Sequence, residues 1–494
     1  MSAGGPAPAL CAAPGTQRVV SGRGRSALFD STVQPVFHNA GIERDEGTSK
    51  SADEMAGLPR HLGDGLLLRS AGRGDGGELA DFNAAMHADV DLPGPALWEW
   101  TRDLFELPHP TFRPERDVTV VEDTVTGRIV SALFLIPQLW SYAGVPVAVG
   151  QPELIATHPD HRRRGLVRAQ FAVIHEWSRA AGHVWQFISG IPWYYRQFGY
   201  VYGIDLAPRP VIWSGTAPPP TPPDCSLRAA TPADVTFLAG VEAQAASGTA
   251  LGPVRGVEGF ALELARRPGS IAACELLIVE SRSAGANPIG YVVHGRRLFD
   301  GLVSVRAFEL RPGQNWLGPT AAVVAHLFDW VREHPDGPGR GIRLALPDGH
   351  PAMACAATRL GSGPPRSYGL YVRAPDIVTI LRTVTPVLEA RLAASVAVGW
   401  TGELRINLYT GGIHLAFAQG RLEQVKAWNP STDNDERAAD ASMRPDEFLP
   451  LLLGSRSVDE LQRTTADCQV SSDAGMLLLT VLFPAMPTSR WEHG

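Results

Sequence analysis

The apolar positions of this 494-residue chain change their period several times, and each change predicts an element. The best-punctuated stretch is 149–200. An apolar strand runs through 151–157, and Pro159, Asp160 and His161 stop it. Arg162, Arg163, Arg164 and Gly165 then open a helix, along which Leu166, Ala169, Val173, Trp177 and Ala180 recur at helical spacing and predict one buried face. Gly182 stands where a helix stops, 184–188 is a second apolar strand, and Pro192 and Gly199 bracket a short helix. Upstream, the pattern predicts a strand over 65–70, helices over 77–87 and 96–105 with a loop between them, and a hairpin of 118–122 with 128–137 around 124–127.

Downstream, the Pro-rich run 208–224 reads as a linker, and then the pattern restarts. Leu227-Arg228 through Asp234 echoes Leu68-Arg69 through Asp75, and Ile289-Gly290-Tyr291 echoes Ile129-Val130-Ser131. Arg311 through Gly318 lies over His158 through Gly165, so that Leu327 matches Ile174 and Trp330 matches Trp177. This is the signature of an internal duplication. The second copy keeps the glycine but has Asn315, Trp316 and Leu317 in place of the three arginines, which predicts a repeat without cofactor. From Asp376 the composition shifts again, to a helix over 376–392, a hairpin of Leu404, Ile406 and Leu408 with Ile413, Leu415 and Phe417, a polar loop over 426–444, helices over 448–453 and 458–461, and a last strand over 477–483.

The start of the helix at 165 carries the candidate chemistry. Unpaired backbone N–H groups and the helix dipole attract phosphate there. Gly165 allows close backbone approach, and the three arginines add charge and donors for a diphosphate. The alternative is a solvated basic turn. The flanking strand, the helix stop and the Tyr–x–x–x–Gly of Tyr195 and Gly199 all agree with the anion-binding reading.

HPDHRRRGL followed by YYRQFGY resembles the acetyl-CoA signature of the GNAT superfamily of N-acetyltransferases, and more narrowly the enhanced-intracellular-survival (Eis) type of aminoglycoside acetyltransferase. Val167 stands where the superfamily usually has Gly or Ala, a departure the Eis type shares. The resemblance implies a mixed α/β (α+β) chain: tandem GNAT folds, each a mixed central sheet flanked by helices, and a C-terminal α+β sterol-carrier-like domain. The division it suggests is a disordered extension over 1–60 (with Met55 as an alternative start), a catalytic GNAT domain over 61–210, the linker over 211–224, a degenerate GNAT domain over 225–375, and the sterol-carrier-like domain with its tail over 376–494.

The same resemblance implies acetyl-CoA as cofactor and no metal. It puts the pantetheine against the backbone of Leu154, Ile155, Ala156 and Thr157, with a backbone N–H near Ile155 or Thr157 polarising the thioester carbonyl. Arg162, Arg163, Arg164, Gly165, Leu166, Val167 and Arg168 would hold the diphosphate, and Tyr195 would protonate the departing thiolate. Tyr194 is expected on the other side of its short helix. The base stays open between Glu153, the terminal carboxylate of Gly494, and Glu492 or His493. Asp89 and Asp91, between the first two helices, either hold a cationic amine or cap a helix, and Trp193 is a further candidate for the acceptor side.

A net charge of −7 argues against a nucleic-acid partner and suits a cationic small-molecule amine. The five cysteines are scattered without a CxxC pair, so neither a disulfide frame nor a zinc site is expected. No apolar run reaches membrane-spanning length and the start lacks a signal-peptide apolar region, which reads as a cytoplasmic protein without membrane contact. The Eis likeness implies a homo-oligomer. Longer-acyl or protein-lysine transfer is the alternative enzyme reading, and an apolar-ligand carrier with a relic core is the alternative of another class.

Overall fold

The computed structural model describes residues 56–88, 93–206, 209–220, 222, 224–246, 248–282, 285, 287–335, 337–363, 368–430 and 439–488. The chain opens with β1 (Arg60–Gly63) and β2 (Leu66–Ser70), then helices α1 (Gly76–His87) and α2 (Gly94–Glu106). The hairpin follows as β3 (Val118–Asp123) and β4 (Arg128–Tyr142), then β5 (Val145–Thr157), α3 (Leu166–Ala180), β6 (Trp185–Ile188), a 3-10 turn at Tyr194–Phe198, and β7 (Val201–Leu206). The buried face of α3 is Leu166, Gln170, Phe171, Val173, Ile174, Trp177 and Ser178, rotated from the expected one so that Ala180 is exposed.

The second set comprises β8 (Val211–Trp213), β9 (Cys225–Ala229), α4 (Val235–Ala246), β10 (Leu251–Pro253), α5 (Gly256–Ala265), β11 (Cys274–Ser281), β12 (Asn287–Gly295), β13 (Leu302–Leu310), α6 (Leu317–Arg332), β14 (Gly341–Leu344), β15 (Leu360–Gly361) and β16 (Tyr368–Arg373). The third comprises α7 (Ile377–Thr383), α8 (Thr385–Ala393), β17 (Gly402–Asn407), β18 (Gly412–Ala418), β19 (Arg421–Trp428), β20 (Ala441–Ser442), α9 (Pro445–Leu452), α10 (Val458–Thr464), β21 (Gln469–Val470) and α11 (Asp473–Leu482).

These strands form three mixed or antiparallel sheets flanked by helices, the expected α/β class. The first runs β1-β2-β3-β4-β5-β6-β16-β7, with β10 paired to the far end of β4. The second runs β15-β8-β14-β13-β12-β11-β9, and the third β19-β18-β17-β20-β21. The chain therefore passes repeatedly between sheets, leaving the first after β7, returning to it for β10, leaving again for β11 and returning for β16. β8, at the head of the stretch expected to be a linker, pairs with β14 of the second sheet, while β16, expected with the second repeat, lies between β6 and β7 of the first. A strand with open edges on both sides goes where its ladder is completed, whatever its place in the chain.

The duplication has a structural signature. Arg69 forks between Asp75 and Glu122, both at 2.8 Å, and Arg228 forks between Asp234 and Glu280, both at 2.7 Å. Each arginine thus ties a strand to the start of the following helix and to the strand paired beside it.

Three expectations for the C-terminal part are corrected. The helix over 376–392 is two helices broken at Val384, because Pro386 has no N–H to give to the preceding turn. The polar stretch beginning at 426 is preceded and entered by β19, whose mostly exposed residues hide the strand pattern. The expected last strand is α11, where Gly475, Leu478, Leu479 and Leu482 are buried at helical spacing and the Ser472 hydroxyl accepts from the Gly475 N–H at 2.9 Å. This third part shares a core with the first sheet, in which Trp140, Tyr142 and Trp185 pack with Ile380, Leu388, Leu404 and Leu479.

Candidate active site

β5 is irregular at its centre. Phe134 of β4 faces Glu153 and Ala132 faces Ala156, so Leu133 stands opposite two residues, Leu154 and Ile155. Leu154 sits at φ 49°, in the left-handed region, which a leucine adopts only when its surroundings hold it there. β6 runs beside β5 only at Val149–Trp185 and Gly150–Gln186. Beyond Gly150 the two strands part, and the open edge of β5 faces a cleft of about 700 Å³.

One wall of the cleft is Ile155, Ala156 and Thr157. Its floor is the start of α3, with Arg162, Arg163, Gly165, Leu166, Val167 and Arg168, and the opposite wall includes Ile191, Tyr194 and Tyr195. Gly165 is at φ 76° directly before Leu166, and a Cβ placed there would meet no atom within 4 Å, because it would stand in the open cleft. The helix does not begin at the arginines as expected. Pro159–His161 forms a 3-10 turn first, and Gly165 is the N-cap. Arg162 donates to the Thr157 carbonyl at 3.2 Å. Arg168 donates to Gln197 at 2.9 Å and lies over the Phe198 ring, tying α3 to the 3-10 turn. Arg164 turns outward to Asp64.

Tyr195 is 5 % exposed, with its ring edge-on to Phe171, Tyr200 and Tyr371. Its hydroxyl lies 3.2 Å from where a Cβ of Gly190, at φ 127°, would be, so a side chain there would be strained and would press the phenol aside by a few tenths of an ångström. Tyr371 arrives from β16, and its hydroxyl accepts from the Trp193 N–H at the head of the 3-10 turn. Tyr194 was expected to point elsewhere. It lines the cleft beside Tyr195, because the turn is a tight 3-10 one entered from Trp193 at φ 68°. Trp193 itself is 71 % exposed on the rim, outside the cleft wall, with the Arg196 guanidinium 4.3 Å from its ring.

Glu153 is not on the cleft wall. Its carboxylate accepts from the Gln151 amide at 2.8 Å, and burial pushes it up while that bond and the Leu154 N–H pull it down. Behind it the Trp140 indole donates to Gln138 and Gln138 donates to Gln151, a buried polar chain that ends on Glu153. Asp89, Asp91 and Gly494, together with Glu492 and His493, lie outside the described residues. Sequence reasoning missed His87, the last residue of α1, which lines the cleft. Burial lowers its pKa, offset by a bond to the Leu154 backbone. The available signal was its place at the end of the helix that leads into the Asp89–Asp91 loop.

Residues 78–203, which hold every one of these described groups except Tyr371 and Asp64, match the profile described as "Acetyltransferase (GNAT) domain". Residues 78–203 are a GNAT acetyltransferase domain. A search of curated proteins finds no match. Among solved structures, a probable N-acyltransferase of Enterococcus faecalis is 12 % identical with a TM-score of 0.59, covering 86 % of this chain and 100 % of its own. A GCN5-related N-acetyltransferase of Kribbella flavida is 17 % identical with a TM-score of 0.56, covering 87 % and 98 %. Eis1 of Mycobacterium abscessus is 16 % identical with a TM-score of 0.55, covering 87 % and 100 %. At these identities the likeness is one of fold, and it extends well beyond the GNAT domain.

The second repeat differs from the GNAT domain where the cleft is built. At the positions matching Leu154 and Ile155, Ala307 and Phe308 are paired with Val293 and Val292, and the irregularity of β13 falls one residue earlier, where His294 faces Val305 and Arg306 is left over. Trp316, at the place of Arg163, packs on Phe308 and His350, with ring centroids 5.1 and 5.0 Å apart, and His350 bonds the Phe308 carbonyl at 2.8 Å.

Among the described residues no helix is long and apolar enough to cross a membrane.

Proposed function

We propose that this acetyltransferase moves the acetyl group of acetyl-CoA to a primary amine on a small cationic or amino-sugar molecule, such as an aminoglycoside-like compound. The observation that carries the reading is one cleft that joins an open β5 edge, a glycine-capped helix start with arginines, and a buried tyrosine. The open space in front of Gly165 fits a diphosphate, since a side chain there would occupy it.

Acetyl-CoA supplies the acetyl group as a thioester, whose C–S bond breaks as the C–N bond to the amine forms. Arg162, Arg163, Arg168 and the amides of Gly165, Leu166 and Val167 hold the diphosphate, while Arg164, bonded to Asp64, adds only its more distant charge. The backbone of Leu154, Ile155, Ala156 and Thr157 aligns the pantetheine, and a backbone N–H polarises the carbonyl. Tyr195 gives its phenolic proton to the thiolate. The proton lost by the amine passes to the Gly494 carboxylate or to water. Asp89, Asp91 and Trp193 are the candidates for recognising the acceptor, and the acidic chain favours a cationic one.

On this reading the chain is organised as a catalytic domain over 61–210, a second GNAT-like repeat over 225–375 and a third domain over 376–494 of sterol-carrier type. It acts in the cytoplasm as a homo-oligomer. The loss of the three arginines and the Trp316–His350 packing at the place of Arg163 support a second repeat that takes no cofactor.

The test is a thermal-shift titration with acetyl-CoA, followed by an acetyl-CoA consumption screen against aminoglycosides, polyamines, amino sugars and lysine peptides. At one hundred times Kd, stabilisation of about 2.7 kcal/mol is expected. Absence of any shift, or turnover only on lysine peptides, refutes the proposal.

A further inference from the structure

The turn that carries Tyr195 is held in place by a residue that the contiguous catalytic stretch does not contain. Trp193 heads that turn at φ 68°, in the left-handed region, which a tryptophan adopts only under constraint. Its N–H donates to the hydroxyl of Tyr371. Tyr371 is fully buried, with its ring stacked on Tyr202 at 4.0 Å and edge-on to Tyr195 at 5.5 Å between centroids. One side chain therefore abuts the Tyr195 ring and anchors the peptide two residues before it. At the start of the same loop, the backbone at Gly190 comes so near that a Cβ there would lie 3.2 Å from the Tyr195 hydroxyl. The phenol is thus confined by the two ends of one loop, 190–193, and Tyr371 fixes the second end.

β16 brings Tyr371 there. β6 and β7 flank the turn in sequence, yet they do not pair with each other; β16 lies between them, with Tyr371 opposite Ile188 of β6 and Tyr202 of β7. In the second sheet β8 fills the matching place. Val149 pairs with Trp185 as Leu302 pairs with Gly341, so Ile188 matches Leu344. The residue opposite Leu344 is Pro210, whose carbonyl accepts the Leu344 N–H at 3.0 Å. A proline brings no hydroxyl to that place.

We infer that Tyr371 is a positioning residue for acetyl transfer: its hydroxyl holds the Trp193 amide and its ring backs Tyr195, so that the phenol is aimed at the departing thiolate. The catalytic domain then owes the setting of its acid to a strand that follows the second repeat. Tyr371 is not on the cleft wall, so it acts through Tyr195 and not on the ligand. The inference rests on the reading of Tyr195 as the acid, and the experiment below tests the two separately.

Tyr371→Phe keeps both ring contacts and removes only the acceptor of the Trp193 N–H. The experiment measures kcat, KM for acetyl-CoA and melting temperature on the full chain, with the fastest acceptor of the screen above, for wild type, Tyr371→Phe, Tyr195→Phe and the double variant. Tyr371→Phe should lower kcat by roughly 3–30-fold, a part of the 10²–10⁴-fold expected for removing the acid itself, and leave KM for acetyl-CoA within about twofold. In the Tyr195→Phe background the same substitution should cost less than about threefold, because no proton remains to be aimed. The proposal is overturned if Tyr371→Phe costs less than about threefold in wild type, if its full loss recurs in the Tyr195→Phe background, or if KM rises as much as kcat falls, the mark of a general distortion of the cleft. Should Tyr371→Phe fail to fold, Gly190→Ala takes its place, since its methyl presses on the phenol from the other end of the loop. A kcat loss that vanishes in the Tyr195→Phe background then sustains the loop as the device that aims the acid, and unchanged kcat overturns it. If Tyr195→Phe itself keeps kcat, or wild type turns over no acceptor, the reading of the cleft fails and the proposal with it, an outcome distinct from a silent Tyr371→Phe.

Discussion

Arg164 donates to Asp64 at 2.7 Å, and this bond carries the third arginine of the 162–164 run away from the cleft that the other two line. Asp64 is 84 % exposed, so the pair is a surface one, worth on the order of 0–1 kcal/mol. The arginines are therefore unequal in this fold. Arg163→Ala should weaken acetyl-CoA binding by about tenfold or more, since charge-assisted bonds to a diphosphate contribute roughly 1.5–3 kcal/mol each. Arg164→Ala should change it by only about threefold. Calorimetric Kd values for the two variants decide this, and equal losses would show that Arg164 leaves Asp64 to serve the ligand fully.

Gly165 separates what the fold needs from what the ligand needs. Its φ of 76° makes any side chain strained, yet nothing lies within 4 Å of a Cβ there. Gly165→Ala should therefore cost about 1–2 kcal/mol of stability, from the left-handed backbone alone. The same methyl would stand where the diphosphate sits, so affinity for acetyl-CoA should fall by more than that strain explains, about tenfold or beyond. Thermal unfolding without ligand and Kd with it, measured on one sample, separate the two effects.

How much of this was legible from residues alone follows the range of the interactions. The arginines, Gly165 and Tyr195 lie within one contiguous stretch, where turn chemistry and helical spacing speak directly. The echo of Leu68-Arg69 in Leu227-Arg228 was legible as well, and its cause is the repeated fork from Arg69 and Arg228 onto carboxylates. The placement of β16 was not, because its partners Ile188 and Leu206 lie more than 160 residues away and its own sequence carries no mark of them. The left-handed conformation of Leu154 carries no local mark, because a leucine there contradicts local preference. α11 was misread because a short apolar run suits a buried strand as well as a buried helix, and the Ser472 cap that decides it is a single residue.

Tyr195→Phe tests the acid. The phenylalanine keeps the packing on Phe171, Tyr200 and Tyr371, so the melting temperature and Kd for acetyl-CoA should stay near wild type. Loss of a proton donor should lower kcat by roughly 10²–10⁴-fold. Tyr194, also on the wall, is the control: Tyr194→Phe should cost less than about fivefold in kcat. Reversed losses in the two variants would move the acid to Tyr194.

Asp103 on α2 and Arg267, just after α5, join at 2.6 Å, with the Asp103 side chain fully buried. Burial raises the Asp103 pKa, and Arg267 is the main influence holding it down. Arg267→Met removes the paired charge and leaves the buried carboxylate to the backbone N–H of that residue, Ser270 and the Arg266 charge, so the cost should fall below the about 3–5 kcal/mol typical of a buried charge left alone. Asp103→Asn in the Arg267→Met background should recover part of that loss, since it removes the orphaned charge. Denaturant unfolding of the single and double variants checks the sign, and a double variant less stable than Arg267→Met would contradict it.

Glu309 on β13 gives a pH dependence whose sign is fixed. It shares a cavity of about 40 Å³ with Glu242, Arg255 and Tyr291. Burial, with the Glu242 carboxylate adding to it, pushes Glu309 up to about 8. In the unfolded chain the group titrates near 4.3. Between those values the folded form holds a proton that the unfolded form has released. The stability this contributes is complete below about pH 4, and it is lost progressively as pH rises to about 8. Glu309→Gln keeps a neutral side chain of similar shape at every pH, so the variant should match wild type near pH 5 and become the more stable of the two by pH 8.5. Melting curves at half-unit steps from pH 5 to 8.5 would show the gap widening by several degrees, at roughly 2–4 °C for each kcal/mol. Parallel curves across that range would mean that Glu309 is ionised in the fold and that Arg255 balances both carboxylates.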